Sequence, residues 1–314
     1  QLFSATLKDD GLGEPVALST TLDADITEPT FSPDSKTLAF SARLKQGEPW
    51  STNFDIYTVA VDGSAAPSNR TAMNQAWDAG PLYSPDGKTL YYRAMKRPGF
   101  EADRYGVVAL DTDKGSTREI AATWDRSAGA LQVSSDGKTL YTTADDLGQH
   151  RLFAVDIASQ RISALSKDGS VGDFDVGTGQ IVLTMDDLDS PAQVYRISGS
   201  GKPKAITELN AERLAEIEFG DYQQFSFKGW NDDEVHGYVV KPAGYKKGRK
   251  YPVAFIIHGG PQGSMGNHFH YRWNPQTYAG AGFAVVFIDF HGSTGYGQAF
   301  TDAISRDWGG KPLA

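Results

Sequence analysis

Five apolar residues, Val253-Ala254-Phe255-Ile256-Ile257, run directly into His258-Gly259-Gly260-Pro261. Apolar residues without alternation suggest a strand buried on both faces, as in a parallel sheet. Gly-Gly-Pro then forces a sharp turn without Cβ atoms, whose backbone N–H groups are free to face a ligand. Two glycines after a buried strand are what an oxyanion-binding turn needs, and such turns serve acyl transfer. A plain tight strand exit is the alternative. Acyl transfer by serine further needs a nucleophile on a strained elbow, Gly-x-Ser-x-Gly, with a general base and an orienting acid. The sequence contains no such elbow. Ser264 lies in Gly263-Ser264-Met265-Gly266 and Ser293 in Gly292-Ser293-Thr294-Gly295. Neither has the elbow spacing, so both are rejected as nucleophiles.

His268 and His270 alternate and would share a strand face, but two imidazoles without carboxylate or cysteine support make a weak metal site. Hydrogen bonding is the plainer role for them, and no metal is expected. His258 opens the turn and is expected to hold its shape rather than move protons. Asp289 ends a second apolar run, Gly282 to Asp289, at a position where active-site groups collect. A structural ion pair is the plainer role there.

The elements that must position these residues follow an α/β pattern. Gly282 to Asp289 reads as a second buried strand, and it too leads into a glycine-rich loop, His291-Gly292-Ser293-Thr294-Gly295-Tyr296-Gly297. A glycine-rich loop like 258–261 follows strand three of the α/β-hydrolases. Phe255 to Pro261, then Gly292 to Gly297, then Asp307-Trp308-Gly309-Gly310-Lys311 resemble the prolyl oligopeptidase family of serine peptidases. They look most like its acylaminoacyl-peptidase and type V dipeptidyl-peptidase branch. The family usually has an arginine before Gly-Ser-Thr-Gly-Tyr-Gly, where this chain has His291, so an ion pair made by that arginine does not carry over to this chain. The resemblance implies that the Gly260 backbone N–H is half of an oxyanion hole, with His258, Gly259 and Pro261 shaping the turn. It implies a Ser, Asp, His triad downstream of Asp-Trp-Gly-Gly. None of the triad is expected within this chain, which ends at Ala314 just after that motif. No cofactor is implied.

Upstream, an internal repeat dominates. Phe31-Ser32-Pro33-Asp34-Ser35-Lys36-Thr37-Leu38 recurs as Tyr83-Ser84-Pro85-Asp86-Gly87-Lys88-Thr89-Leu90 and as Val133-Ser134-Ser135-Asp136-Gly137-Lys138-Thr139-Leu140. A degenerate fourth copy is Val176-Gly177-Thr178-Gly179-Gln180-Ile181. Ser-Pro-Asp-Gly suits a type I turn: proline presets φ, aspartate bonds locally and glycine takes positive φ. Alternating strands follow each turn, which predicts four strands per copy, a propeller blade. A β-sandwich would not repeat one turn sequence at constant period. The expected fold is a partial β-propeller of about four blades followed by the start of an α/β-hydrolase domain. Residues 1–211 would be the C-terminal part of a propeller of seven or eight blades, a closure that the resemblance implies. Residues 212–314 would begin the hydrolase domain. The chain thus reads as truncated at both ends. A polar stretch, Glu208 to Glu218, is expected to be a helical bridge, and strands are expected over 223–227 and 235–240.

Bulk properties narrow the partners. The 314 residues carry a net charge of −9, which argues against nucleic acid, because phosphate binding needs a basic face. No stretch has the apolar length of a membrane span. There is no cysteine, which excludes disulfides, thiolate nucleophiles and cysteine-ligated zinc. The chain opens on Gln1 without a signal peptide, which is compatible with a removed leader and a periplasmic or secreted location. Trp50-Ser51-Thr52-Asn53-Phe54-Asp55-Ile56-Tyr57 resembles a stretch of type V dipeptidyl peptidases. Such enzymes bind the substrate's free α-amine with carboxylates. Glu48, Asp78, Glu101 and Asp103 are acidic candidates on loops, each equally readable as solvated charge.

The resemblance implies a serine exopeptidase that releases dipeptides from the N-terminus of short peptides. An acylaminoacyl peptidase or oligopeptidase of the same family is the alternative, and a non-catalytic propeller binding module is the alternative of another class. The expected partners are peptide substrates and the remaining segments of the same protein, before Gln1 and after Ala314. A homodimer is left open.

Overall fold

The computed structural model describes residues 1–45, 50–199 and 201–313. The chain divides into two compact units, residues 1–142 with 155–162, and residues 143–154 with 163–314.

The first unit is built on its turns. Short ladders come first: β1 (Phe3–Ser4) pairs with β4 (Val16–Ala17), and β2 (Leu7–Lys8) with β3 (Gly11–Leu12). A four-stranded antiparallel sheet follows, from β5 (Ala24–Phe31), β6 (Thr37–Leu44), β7 (Asp55–Ala60) and β8 (Ser68–Asn69), in chain order. A second has β9 (Asp78–Tyr83), β10 (Thr89–Ala94), β11 (Gly106–Asp111) and β12 (Thr117–Ile120), again in chain order. β13 (Leu131–Val133) then pairs with the first residues of β14 (Thr139–Asp146). The three repeated turns join β5 to β6, β9 to β10 and β13 to β14, and they use one set of bonds. The Ser32 hydroxyl donates to Asp34 at 2.6 Å and accepts from the Thr37 N–H at 2.9 Å. Ser84 does the same with Asp86 and Thr89, and Ser134 with Asp136 and Thr139. The strands between turns bury Ala39, Ile56, Leu90, Tyr92 and Leu110 against one another, and Leu38 and Phe40 on the other face of β6 are buried as well.

The second unit begins with the tip of a hairpin, from β14 into β15 (Gln149–Asp156). After β16 (Ile162–Ala164), β17 (Ser170–Gly177) meets β15 in parallel at Ser170 and His150. β18 (Gln180–Asp186), β19 (Gln193–Ser198) and β20 (Lys204–Ala205) add antiparallel strands. No sheet closes on itself among the described residues. Helix α1 covers only Ala211–Leu214, far shorter than the bridge expected over 208–218. None of its residues is buried, so no buried apolar face anchors a longer helix.

A mixed sheet follows. β21 (Tyr222–Lys228), β22 (Glu234–Val240), β23 (Val253–Ile256) and β24 (Ala284–Asp289) stand in the order β21-β22-β24-β23. β23 runs parallel to β24, and the other two pairings are antiparallel. Gly237 is required at one crossing, since a Cβ there would lie 2.5 Å from the Phe287 carbonyl. Helix α2 (Pro275–Gly280) starts on proline, with Asn274 accepting from the Gln276 N–H. It packs Ala279 against Tyr238, Val240, Val285 and Phe287. β23 departs from the expectation of burial on both faces: Val253 is 62 % and Phe255 53 % exposed. The sheet order explains this, because β23 is an edge strand and no described residues cover its second face.

Candidate active site

β23 delivers the His258 turn, and its side chains are held from a distance. The His258 Nδ1–H donates to the Gly259 carbonyl at 2.8 Å, which assigns the tautomer and leaves Nε2 to accept from the Ser293 hydroxyl at 2.9 Å. The ring stacks on Phe290 at 4.5 Å. Gly260 has φ +125°, and a Cβ there would lie 2.8 Å from the Gln262 nitrogen, so the position admits glycine alone. Among the described residues the Gly260 N–H makes no hydrogen bond. The turn, from Gly259 to Pro261, lines a cavity of about 290 Å³ with Ile257, Phe290 and Trp308.

Asp289 is 3 % exposed and is held by three hydrogen bonds, with one imidazole within ion-pair distance. It accepts from the Ser264 hydroxyl at 2.6 Å, the Tyr296 hydroxyl at 2.8 Å and the Met265 N–H at 3.1 Å. The nearest basic group, His258 Nε2, lies 3.7 Å away. Burial pushes the Asp289 carboxyl up, against the pull of these donors. Burial, and then the negative charge of Asp289, pushes the Tyr296 hydroxyl up. Ser264 and Ser293 both have their hydroxyls engaged, and Ser293 is fully buried.

The hairpin tip 143–154 supplies residues that sequence reasoning missed. Asp145 accepts from the Thr294 hydroxyl and holds His150 Nδ1 at 2.6 Å. Burial pushes Asp145 up, but the hydrogen bonds from His150 and Thr294 outweigh it and hold the carboxyl low. Gln149 donates to the Tyr238 hydroxyl, and the Asn267 N–H donates to the Gly148 carbonyl at 2.8 Å. Asp145 and Thr294 are far apart in the chain, and no spacing rule links them. His150, His268, His270, His258 and Trp273 line a larger cavity of about 700 Å³.

His268 Nδ1 bonds Asp186 at 2.7 Å, a hydrogen bond that raises the imidazole's pKa above its ordinary value. His270 Nδ1 accepts from the Arg272 and Trp273 N–H groups, so its proton sits on Nε2 and no lone pair is left for a metal. Burial, then the positive charge of His268, pushes His270 down. His291, which stands where the family's arginine is usual, is 2 % exposed, bonds Asp233 at 3.1 Å and stacks on Phe300 at 4.2 Å.

Of the candidate amine-binding carboxylates, Asp78, Glu101 and Asp103 belong to the first unit. Glu48 lies outside the described residues. Asp78 is fully buried, accepts from the Asn74 amide at 2.7 Å and is pushed up to about 7 by burial. Asp103 is 8 % exposed and is occupied by Arg97 at 2.6 Å and by the Lys96 and Arg97 N–H groups. Glu101 is exposed.

Residues 269–314 match the model of the prolyl oligopeptidase family. Dipeptidyl-peptidase 5 of Arthroderma otae is 37 % identical over 90 % of this chain, and the match covers 41 % of that protein. Dipeptidyl-peptidase 5 of Trichophyton schoenleinii is 35 % identical with the same coverage. Among solved structures, uncomplexed acylaminoacyl peptidase of Pyrococcus horikoshii superposes with a TM-score of 0.73 over 91 % of this chain and 43 % of its own, at 19 % identity, a likeness of fold. The chain belongs to the prolyl oligopeptidase family of serine peptidases. It spans about two-fifths of the length of the curated relatives it matches.

Proposed function

We propose that this chain is part of a serine exopeptidase that releases dipeptides from the N-terminus of short peptides. The observation that carries the reading is the unpartnered Gly260 N–H on a glycine-only turn at a strand exit. The name borne by the relatives at 35–37 % identity supports the dipeptide product. Residues 1–211 would be blades of a propeller that admits only small, unfolded substrates, and 212–314 the opening of the hydrolase domain. The repeated four-stranded sheets support the first part, and the parallel β23–β24 pair supports the second.

In this reading the Ser, Asp and His of the triad come from polypeptide outside this chain. The serine oxygen bonds the scissile carbonyl carbon, and its proton passes through histidine to the leaving amine as the C–N bond breaks. Water then cleaves the acyl-enzyme ester. The Gly260 N–H stabilises the oxyanion formed in each step, and one such donor contributes on the order of 3–4 kcal/mol. The test is a panel of dipeptidyl and N-acetylaminoacyl 4-nitroanilides with the full-length protein. Release from the dipeptidyl compounds, with labelling by a fluorophosphonate, is expected. Cleavage of the N-acetylated compounds alone would overturn the dipeptidyl assignment.

A further inference from the structure

The two glycines of the turn take their nearest contacts from the turn itself: the Gly259 carbonyl accepts from His258 Nδ1, and the atoms nearest a Cβ on Gly260 belong to Gln262. A Cβ on Gly259 would meet no atom within 4 Å, and the Gly260 N–H has no partner among the described residues. Glycine is the residue freest to change φ and ψ, so the direction of that N–H must be set by the residues flanking the pair. Upstream, His258 is fixed by the Ser293 hydroxyl and by stacking on Phe290. Downstream, the Gly263 carbonyl accepts from the Thr294 N–H at 3.0 Å, and Ser264 and Met265 both donate to Asp289. Every one of these partners lies in β24 or the loop after it. Asp289 itself bonds both loops, since it takes Ser264 and Met265 from one and the Tyr296 hydroxyl from the other.

We propose that Asp289 is the positioning residue of the oxyanion turn: its buried carboxylate clamps the 258–266 loop to the 290–297 loop and thereby aims the Gly260 N–H. The inference rests on the peptidase reading above. A carboxylate suits the task where an amide does not. Three donors converge on its two oxygens, with a fourth group, His258 Nε2, at 3.7 Å. An asparagine would turn an N–H₂ toward either the two hydroxyls or the Met265 N–H. Hydroxyls can rotate to accept and a backbone N–H cannot, so asparagine in one orientation keeps part of the clamp.

The experiment compares Asp289→Ala, Asp289→Asn and Tyr296→Phe in the full-length enzyme, with dipeptidyl 4-nitroanilides and with the folded fraction counted by fluorophosphonate stoichiometry. Asp289→Ala is expected to lower kcat per labelled site on the order of 10²-fold with KM changed by no more than about twofold, the loss known for a missing oxyanion donor. Asp289→Asn should fall between Asp289→Ala and wild type, and Tyr296→Phe closest to wild type. A merely structural role would reduce the labelled fraction and the melting temperature and leave kcat per site unchanged, and that outcome overturns the proposal. If Asp289→Ala does not fold, unchanged kcat per site in both Asp289→Asn and Tyr296→Phe overturns it equally. An inactive wild type would instead sink the peptidase reading, and this inference with it.

Discussion

The Ser32, Ser84 and Ser134 turns and the His258–Gly266 turn are made from the same few residue types, yet they are held in opposite ways. In the first three, serine, aspartate and the backbone satisfy each other within five residues. In the last, the partners stand 25 and 35 residues away, at Asp289 and Ser293. A turn closed by its own residues can form before the rest of the sheet and tolerates change elsewhere. A turn closed by a distant loop has the geometry of that loop built into it. The second arrangement suits a backbone N–H that must be aimed, because rigid elements place such groups more accurately than a free loop.

The largest test of this contrast is Gly260→Val in the full-length enzyme. The new Cβ meets the Gln262 backbone, so the turn must shift. Turnover should drop on the order of 10²- to 10³-fold while KM changes by less than about threefold. Steady-state kinetics that show unchanged turnover in a folded variant would remove Gly260 from the chemistry.

Asp78 asks whether the repeat region carries a long-range burden of its own. Its folded pKa, about 7, stands above the unfolded value of 3.8. The native state therefore holds the proton more tightly, and its stability declines as pH rises through that window. Asp78→Asn should melt higher than wild type at about pH 8, by the equivalent of about 4 kcal/mol, with the gain gone by about pH 4. A gain that does not vary with pH would show that the carboxylate is compensated in the native state.

Ser84→Ala removes a donor to Asp86 and an acceptor for the Thr89 N–H from a nearly buried site. Denaturant titration should show a loss of about 1–2 kcal/mol, with no effect on kcat in the full-length enzyme. A change in kcat would undo the claim that these turns are self-contained. The smallest effect is expected at His268. Its pKa is raised, chiefly by the hydrogen bond to Asp186, so the pair stabilises below about pH 6.5 and that stabilisation fades as pH rises through the folded value. His268→Gln should lower the melting temperature more at about pH 5.5 than at about pH 9, by a degree or so, since the side chain is 44 % exposed.

The same contrast decides what the sequence reveals. Ser-Pro-Asp-Gly announces its turn because its bonds close within the motif, but the strands around it are not exposed on one face: β6 is buried from Leu38 to Ala42 and β7 from Asp55 to Val59, because both faces of the sheet are covered. The strands at 222–228, 234–240 and 284–289 fall where apolar pattern places them. The burial of β23 is misread, because five apolar residues in a row do not say whether a second layer lies over them. Asp145 and His150 carry no signal at all: on a hairpin tip, Asp145 becomes the partner of Thr294, and the Leu147 N–H donates to the Gly295 carbonyl, only through the fold, while His150 bonds Asp145. Asp289 is visible as the end of a strand, but its three donors are not, since two come from different loops and one is a backbone N–H.

The repeated turns touch one another in a fixed direction. The Cβ position of Gly87 lies 3.6 Å from the ring of Pro33, and that of Gly137 lies 3.6 Å from the ring of Pro85. The second copy thus offers its proline forward and its glycine backward, as a monomer does in head-to-tail chain growth, while the first, with Ser35 at the glycine place, offers only its proline. A copy with both groups can be added or lost in the interior, and its neighbours meet the same surface as before. The third copy has Ser135 in place of proline, and Gly179, at the corresponding place of the fourth, faces open space. Ser135 is in that sense a chain terminator: it ends the run of interchangeable units, and beyond it the polypeptide can depart from the repeat.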